Sequence, residues 1–331
     1  MEEGYVAGVE RLEDILARLQ AFVGPLSGEP VALSGGITNH NFRVVLGGED
    51  YVLRVHGKDT GLLGIDRESE RIASELAARI GVAPAHVVAF DDCLLTRFVD
   101  CEAVSPEGVA ESAEEIAVAL RAFHRSAATL PSRFWVPDLL EQYAALVRAR
   151  NVGLPDEYGQ AAAVAAEIAA AVPLSHPCPC HNDLLAGNII RAPSGGVLIV
   201  DWEYAGMGHP CFDLGNLSVN NDFSEADDER LLHAYHGHPP TDAQRATLAL
   251  MRIVSDAREA AWGIVQAELS ELDFDFPRYA RTHFERMLAA GAQPQLREWL
   301  TAARAGDGQG NHANGVRNDA SRGEEPGGQA P

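Results

Sequence analysis

His181, Asp183 and Asn188 fall in the run His181-Asn182-Asp183-Leu184-Leu185-Ala186-Gly187-Asn188, and Asp201 follows the apolar stretch Val197 to Val200. The apolar stretch reads as a short buried strand. Such a strand brings the carboxylate at its end back beside the loop before it, so two carboxylates and one amide converge. Phosphoryl transfer uses this set of groups. One Asp takes the proton of the attacking hydroxyl, while an Asn and a second Asp hold magnesium against phosphate oxygens. The spacing H-x-D-x-x-x-x-N also recurs by chance in unrelated chains, and it is the strand-borne Asp, in the right order, that gives it weight. On this reading Asp183 is the catalytic base, and Asn188 and Asp201 are the metal ligands.

The chain changes character near residue 100. Before it, Val9, Leu12, Ile15, Leu16, Leu19 and Phe22 form one helical stripe over residues 9–22. Short strands follow at Pro30–Leu33, Phe42–Leu46 and Tyr51–Val55, the last two joined by Gly47-Gly48-Glu49-Asp50, a hairpin signature. A helix over Asp66–Ile80, with Ile72, Leu76 and Ile80 inward, and strands at Val87–Phe90 and Cys93–Val99 complete a small sheet. Beyond residue 100 the pattern is helical. The spacing predicts helices over Pro106–Ser126, which Ser105-Pro106 opens as N-cap and first residue, and over 138–150, 156–172, 226–236, 242–270 and 278–304. Ala305–Pro331 holds seven Gly and one aliphatic larger than Ala, Val316. Such a segment buries too little to offset its ordering entropy and reads as a disordered tail. The expected architecture is therefore α+β: a small β-rich lobe at 1–99, a larger helical lobe at 100–304, and the tail at 305–331.

Gly35-Gly36 lies between two strands with little side-chain bulk, so its backbone N–H groups can approach phosphate oxygens, with Thr38 and Asn39 adding side-chain donors. The next strand but one carries Arg54 within Tyr51-Val52-Leu53-Arg54-Val55. A cation in an apolar strand is costly unless paired or bound to an anion. Glu70 on the following helix is the natural partner, with Glu68 and Glu75 as competitors, and the pair would aim the guanidinium at nucleotide phosphates.

Charge narrows the partners. A net charge of −22 disfavours nucleic acid and anionic membrane surfaces and suits a small cationic ligand. Five Cys in 331 residues make no disulfide framework, and no long apolar span appears, so a reducing cytoplasm is the expected setting. Cys178, Cys180, His181 and Cys211 match zinc-site spacing poorly.

Together these motifs resemble the choline/ethanolamine kinase family, in its bacterial choline-kinase-like branch, within the aminoglycoside-phosphotransferase-like kinases. The resemblance spans about residues 30 to 290. It rests on Ser34-Gly35-Gly36-Ile37-Thr38-Asn39, Val52-Leu53-Arg54-Val55, Ile65-Asp66-Arg67 with Glu70, His181-Asn182-Asp183 with Asn188, Asp201-Trp202-Glu203-Tyr204, Phe212-Asp213-Leu214-Gly215-Asn216, and Trp262 with Gln266. It implies a protein-kinase-like two-lobed fold that binds ATP and Mg²⁺ between the lobes. Arg54 then stands where the usual strand-borne Lys would be, Glu70 is its ion-pair partner, and Thr96-Arg97-Phe98-Val99 is the interlobe connection that meets adenine. His181 supports the loop by hydrogen bonding. Glu203, Tyr204, Glu259 and Trp262 are the substrate-binding positions, with Asp213 and Tyr279 as further candidates.

Glu259 departs from the family, whose eukaryotic members carry a second Trp there. Replacing an aromatic wall by a carboxylate favours a protonated amine over trimethylammonium. The expected activity is transfer of a γ-phosphoryl group to the hydroxyl of a small amino alcohol such as choline or ethanolamine. An aminoglycoside or other sugar kinase is the rival within the class, and a nucleotide-binding pseudokinase with a regulatory role is the rival outside it.

Overall fold

The computed structural model describes residues 2–33, 38–58, 60–193, 195–270, 272 and 274–310. α1 (Glu2–Phe22) leads into β1 (Val31–Ala32), β2 (His40–Leu46) and β3 (Glu49–Val55); α2 (Arg67–Arg79), β4 (His86–Phe90) and β5 (Cys93–Arg97) follow. The five strands lie in the order β1-β2-β3-β5-β4, every pairing antiparallel. Gly47 and Gly48 close the β2–β3 hairpin at φ 61° and 85°, the paired positive φ values that a tight turn matching the strand twist requires. Side chains alternate across the strands. Val44, Leu46, Leu53 and Leu95 pack against Ile15, Leu16 and Leu19 of α1, and Arg54 faces the opposite side.

The buried face of α2 differs from the apolar stripe expected of it. Ser69, Glu70, Ala73, Leu76 and Ala77 are buried, whereas Ile80 is exposed. The ion pair from Glu70 to Arg54 decides this face, and an apolar pattern cannot register such a pairing. Asp66 caps the helix, accepting the Ser69 N–H at 2.7 Å.

The second lobe begins with β6 (Glu102–Ala103), α3 (Pro106–Glu111), α4 (Ala113–His124), α5 (Val136–Ala149) and α6 (Asp156–Ala171). Four short strands follow: β7 (Cys178–Cys180), β8 (Ile189–Arg191), β9 (Val197–Ile199) and β10 (Gly206–Gly208). The chain then forms α7 (Pro210–Asn220), α8 (Glu225–His236), α9 (Asp242–Leu269), α10 (Phe276–Gly291) and α11 (Gln295–Gly310). β8 pairs with β6 and β9, and β7 with β10. These ribbons fix the loop 181–188 from both ends.

Two helical expectations change, and one helix is unexpected. The helix over Pro106–Ser126 breaks at Ser112, whose hydroxyl donates back to the Gly108 carbonyl at 2.7 Å, a contact that bends helices. The helix over 278–304 is two, because Pro294 lacks the N–H needed to continue one. α7 escapes a periodicity search because Phe212 to Val219 are all buried, leaving no polar stripe. At its end, α11 takes in residues 305–310 of the segment expected to be a disordered tail, while 311–331 lie outside the described residues. α9 is the axis of the lobe, packed by α5, α7, α10 and α11. At Gly215 an added Cβ would stand 2.7 Å from Met251, so α7 can cross α9 this closely only at a glycine.

Candidate active site

The loop 181–188 is held by buried groups that leave Asp183 little freedom. Asp213, fully buried on α7, accepts the backbone N–H groups of His181 at 2.8 Å and Asn182 at 2.7 Å, and meets His124 Nε2 at 2.8 Å. This corrects its assignment as a substrate candidate, since both oxygens serve the loop. His181 Nε2 lies 2.9 Å from the Val200 carbonyl and its Nδ1 3.2 Å from the Asp183 N–H. Those contacts fit a neutral imidazole donating through Nε2 and accepting through Nδ1. Burial, the main cause, keeps the His181 pKa below its ordinary value. Asn216 accepts the Leu184 N–H at 2.5 Å, and Asn221 donates to the Leu184 carbonyl at 3.1 Å. Asn182 and Asp201 both adopt left-handed backbone, at φ 68° and 66°. Such strain costs roughly 1–3 kcal/mol per residue and persists where surrounding contacts impose it, commonly at functional sites.

Asp183 is 9% exposed. Burial, opposed by Arg258 and assisted by Glu259 and Asp201, pushes its carboxyl up to about 7. The Asn188 amide nitrogen donates to the Asp183 carbonyl at 2.8 Å and lies 3.4 Å from Asp183 Oδ2. Those contacts use the nitrogen end of the amide and not its oxygen. Asp201, two residues past the end of β9, accepts a hydrogen bond from Arg54 Nη1 at 2.5 Å.

Arg54 is paired as its sequence setting demands. Its Nη1 lies 3.1 Å from Glu70 Oε1, while Glu68 and Glu75 both pair with Arg71 at the surface. Burial opposes the Arg54 charge, yet Asp201 and Glu70 outweigh it and hold the guanidinium pKa above its usual value. Arg67, absent from the sequence reading as a site residue, reaches Glu70 at 2.7 Å, Asn39 at 3.0 Å and Glu203 at 3.5 Å. Its position as the first residue of α2, aimed by the Asp66 cap, is the signal that could have found it.

Two assignments shift here. Asn39 spends its amide on Glu203, at 2.6 Å, and its carbonyl on Arg67 and the Gly57 N–H. It therefore braces the network instead of offering a donor to phosphate. Glu203, expected to touch the acceptor, sits with Asn39 and Arg67 on the Arg54–Asp201 side. The tight 3-10 turn Trp202–Tyr204 sends consecutive side chains to different walls. Burial and then Asp201 push the Glu203 carboxyl up to about 8.

The opposite wall comes from α9, α10 and Tyr204. Trp262 donates its indole N–H to the Tyr204 hydroxyl at 2.9 Å and packs edge-on against Phe276 and Tyr279. Glu259 is buried, with Oε1 2.7 Å from Arg258 Nη1 and Oε2 accepting the Tyr279 hydroxyl at 2.8 Å. Arg258, also missed by sequence, is 2% exposed. Its Nη1 lies 3.1 Å from Asp183 Oδ1, and its guanidinium stacks 4.4 Å above the Tyr204 ring.

One cavity of about 730 Å³ joins the two walls. Thr38, Arg54, Asp183, Asn188, Asp201 and Glu203 line it toward the sheet, and Tyr204, Arg258, Glu259, Trp262 and Tyr279 toward α9. Thr96 to Val99 edge it as well. The Arg97 guanidinium, however, pairs with Glu49 at 2.7 Å and stacks on Tyr51, so a role for Arg97 in the cleft would fall to its backbone. Gly35 and Gly36 lie outside the described residues. The disfavoured zinc set gains nothing: both His181 nitrogens are occupied. The cluster within ligand range among the described residues, His124, Cys180 and Asp213, has its carboxylate spent on the loop.

The chain matches the model of a phosphotransferase enzyme family over residues 29–251. A choline/ethanolamine kinase family protein of Mesorhizobium loti is similar in structure, with a TM-score of 0.73 and 30% identity over 89% of this chain and 99% of that one. A probable choline kinase of Arabidopsis thaliana is 25% identical over 78% of this chain and 85% of its own length. Ethanolamine kinase 1 of Mus musculus is 27% identical over 76% and 80% respectively. The streptomycin- and ATP-bound aminoglycoside phosphotransferase APH(2'')-IIa shares the two-lobed kinase-like fold at a TM-score of 0.56 and 18% identity. With the loop 181–188, Asp201 and Arg54 all inside the matched span, this chain belongs to the phosphotransferase enzyme family and, within it, to the choline/ethanolamine kinase family: it is a small-molecule kinase with an alcohol acceptor.

Proposed function

We propose that the protein transfers the γ-phosphoryl group of ATP, with Mg²⁺, to the hydroxyl of a small amino alcohol such as choline or ethanolamine. The observation that carries this reading is the shared cavity. Asp183, Asn188 and Asp201 meet at one wall of it, and the carboxylate- and aromatic-bearing α9 closes the other.

The donor set suits magnesium, since Asn188 and Asp201 offer an amide and a carboxylate oxygen, the hard donors that ion prefers. Asn188 and Asp201 would hold the ion, which when bound neutralises charge on the phosphate oxygens. Arg54, fixed between Glu70 and Asp201, supplies a fixed cation on the nucleotide side. The Val99 backbone at the cavity edge is the proposed contact for adenine, and Thr38 a donor to phosphate. Asp183 accepts the proton of the acceptor hydroxyl. The acceptor oxygen then bonds to the γ-phosphorus, the bond to the β,γ-bridging oxygen breaks, and ADP leaves. Positioning and charge neutralisation carry most of the catalysis in such a site.

Among the described residues no helix is long and apolar enough to cross a membrane. The five cysteines are free thiols, which supports work in a reducing cytoplasm. A screen of aminoalcohols and aminoglycosides for stimulated ADP release tests the reading. Stimulation by aminoglycosides alone would overturn it.

Trp262 should set acceptor affinity. Trp262→Ala removes an indole that both braces Tyr204 and lines the cavity. An aromatic contact to a cation contributes roughly 0.5–2 kcal/mol, so acceptor KM should rise several-fold while KM for ATP stays nearly constant. Unchanged acceptor kinetics would make Trp262 a core residue only.

A further inference from the structure

Hydrogen-bonding capacity around the α9 wall is unevenly spent. The acceptor atoms are committed: Glu259 gives one oxygen to Arg258 and the other to the Tyr279 hydroxyl, and the Tyr204 hydroxyl oxygen receives the Trp262 N–H. A face of the Tyr204 ring, the surface a quaternary ammonium would seek, is already covered by the Arg258 guanidinium at 4.4 Å. The donors of Arg258 are only partly committed. Arg258 engages only Nη1, with Asp183 and Glu259, while its buried Nε and Nη2 find no hydrogen-bond partner among the described residues. Buried donors left unpaired are costly, and those on a charged group most of all. They are satisfied most strongly by an anionic oxygen pair that fits the guanidinium fork.

We propose that the acceptor carries a carboxylate in addition to its amine and hydroxyl, and that Arg258 is the residue that reads it. The inference rests on the amino-alcohol kinase reading above and moves its acceptor from choline or ethanolamine to amino alcohols that also carry a carboxylate. Position favours the acceptor over the nucleotide as the source of the anion. Arg258 is borne on α9 beside Glu259 and near Trp262, whereas the nucleotide wall already has Arg54 and Arg67. The arrangement also links recognition to chemistry. Arg258 Nη1 rests against Oδ1 of Asp183, the carboxylate that takes the hydroxyl proton in this reading. A substrate carboxylate on Nε and Nη2 would leave Nη1 on Asp183 and so hold the acceptor beside that base. The transfer itself is unchanged: the hydroxyl oxygen bonds to the γ-phosphorus, its proton goes to Asp183, and ADP departs.

The test compares acceptors that differ by the carboxylate alone: serine with ethanolamine, homoserine with 3-aminopropanol, and serine with serinamide. Wild-type kcat/KM should favour at least one carboxylated member by about tenfold or more, the order expected of charge-assisted hydrogen bonds. For the serine pair, serinamide should fall to the level of ethanolamine. Arg258→Gln should lower the carboxylated-to-decarboxylated ratio by roughly 10- to 100-fold, and Arg258→Lys, which keeps charge without the planar fork, should recover part of it. Should Arg258→Gln fail to fold, the wild-type comparison alone decides. An equal loss for both members of a pair would place Arg258 on the base or the transferring phosphoryl and overturn the proposal. Turnover of ethanolamine or 3-aminopropanol with none of serine or homoserine would overturn it while leaving the amino-alcohol kinase intact. Turnover of no acceptor in either set would remove both.

Discussion

Asp183→Asn should abolish phosphoryl transfer while leaving ATP binding largely intact. The loop that presents residue 183 is held by Asp213, His181, Asn216 and Asn221, and none of these contacts uses the Asp183 carboxylate. Asn keeps the shape and can still accept from Arg258, but loses the capacity to take a proton and the charge that faces Arg258. Positioned general-base catalysis is typically worth 10²–10⁴-fold, so kcat should fall by that order. Nucleotide affinity should persist because Arg54 and Asp201 are untouched. A variant that retains more than about a tenth of wild-type kcat would mean that Asp183 is not the base.

The second large effect belongs to Asp201→Ala, which should remove Mg²⁺-dependent nucleotide binding. The substitution deletes the anionic oxygen donor at the end of β9 and frees Arg54 from one of its two carboxylate partners, leaving Glu70 at 3.1 Å. A carboxylate bridging protein and metal contributes more charge stabilisation than a neutral amide, so Asn188→Ala should be milder. Calorimetric titration with Mg·ATP separates the two. Wild-type affinity in both variants would remove Asn188 and Asp201 from the metal site.

How far these groups can be read from sequence depends on the distance over which each is specified. The loop 181–188 and its partner strand are local: spacing, an apolar run and the terminal Asp suffice to bring Asp183, Asn188 and Asp201 to one cavity. The β2–β3 hairpin is equally legible, because Gly47-Gly48 dictates its turn. Arg54 announces a partner by being a cation in an apolar strand, and Glu70 is close enough in sequence to name, although only the folded helix separates it from Glu68. Legibility fails where burial is polar. Arg258, 75 positions from Asp183, lies on a helix whose inward face is expected to be apolar, so periodicity hides it. Glu203 and Tyr204 are adjacent in sequence yet serve opposite walls, because a 3-10 turn separates them. Asn39 looks like a donor to phosphate until Arg67 and Glu203 are seen to claim it. α7 is invisible to a moment-based reading because both its faces are buried.

Acceptor-dependent transfer through Asp183 is tested by product analysis. Wild-type protein, ATP and Mg²⁺ are incubated with one amino alcohol at a time, and the phosphorus-containing products are resolved by ³¹P NMR. One phosphomonoester of the acceptor should form for each ADP, with none in the Asp183→Asn variant. Formation of ADP and inorganic phosphate at the same rate with or without acceptor, or ATP that binds and is never turned over, would contradict it.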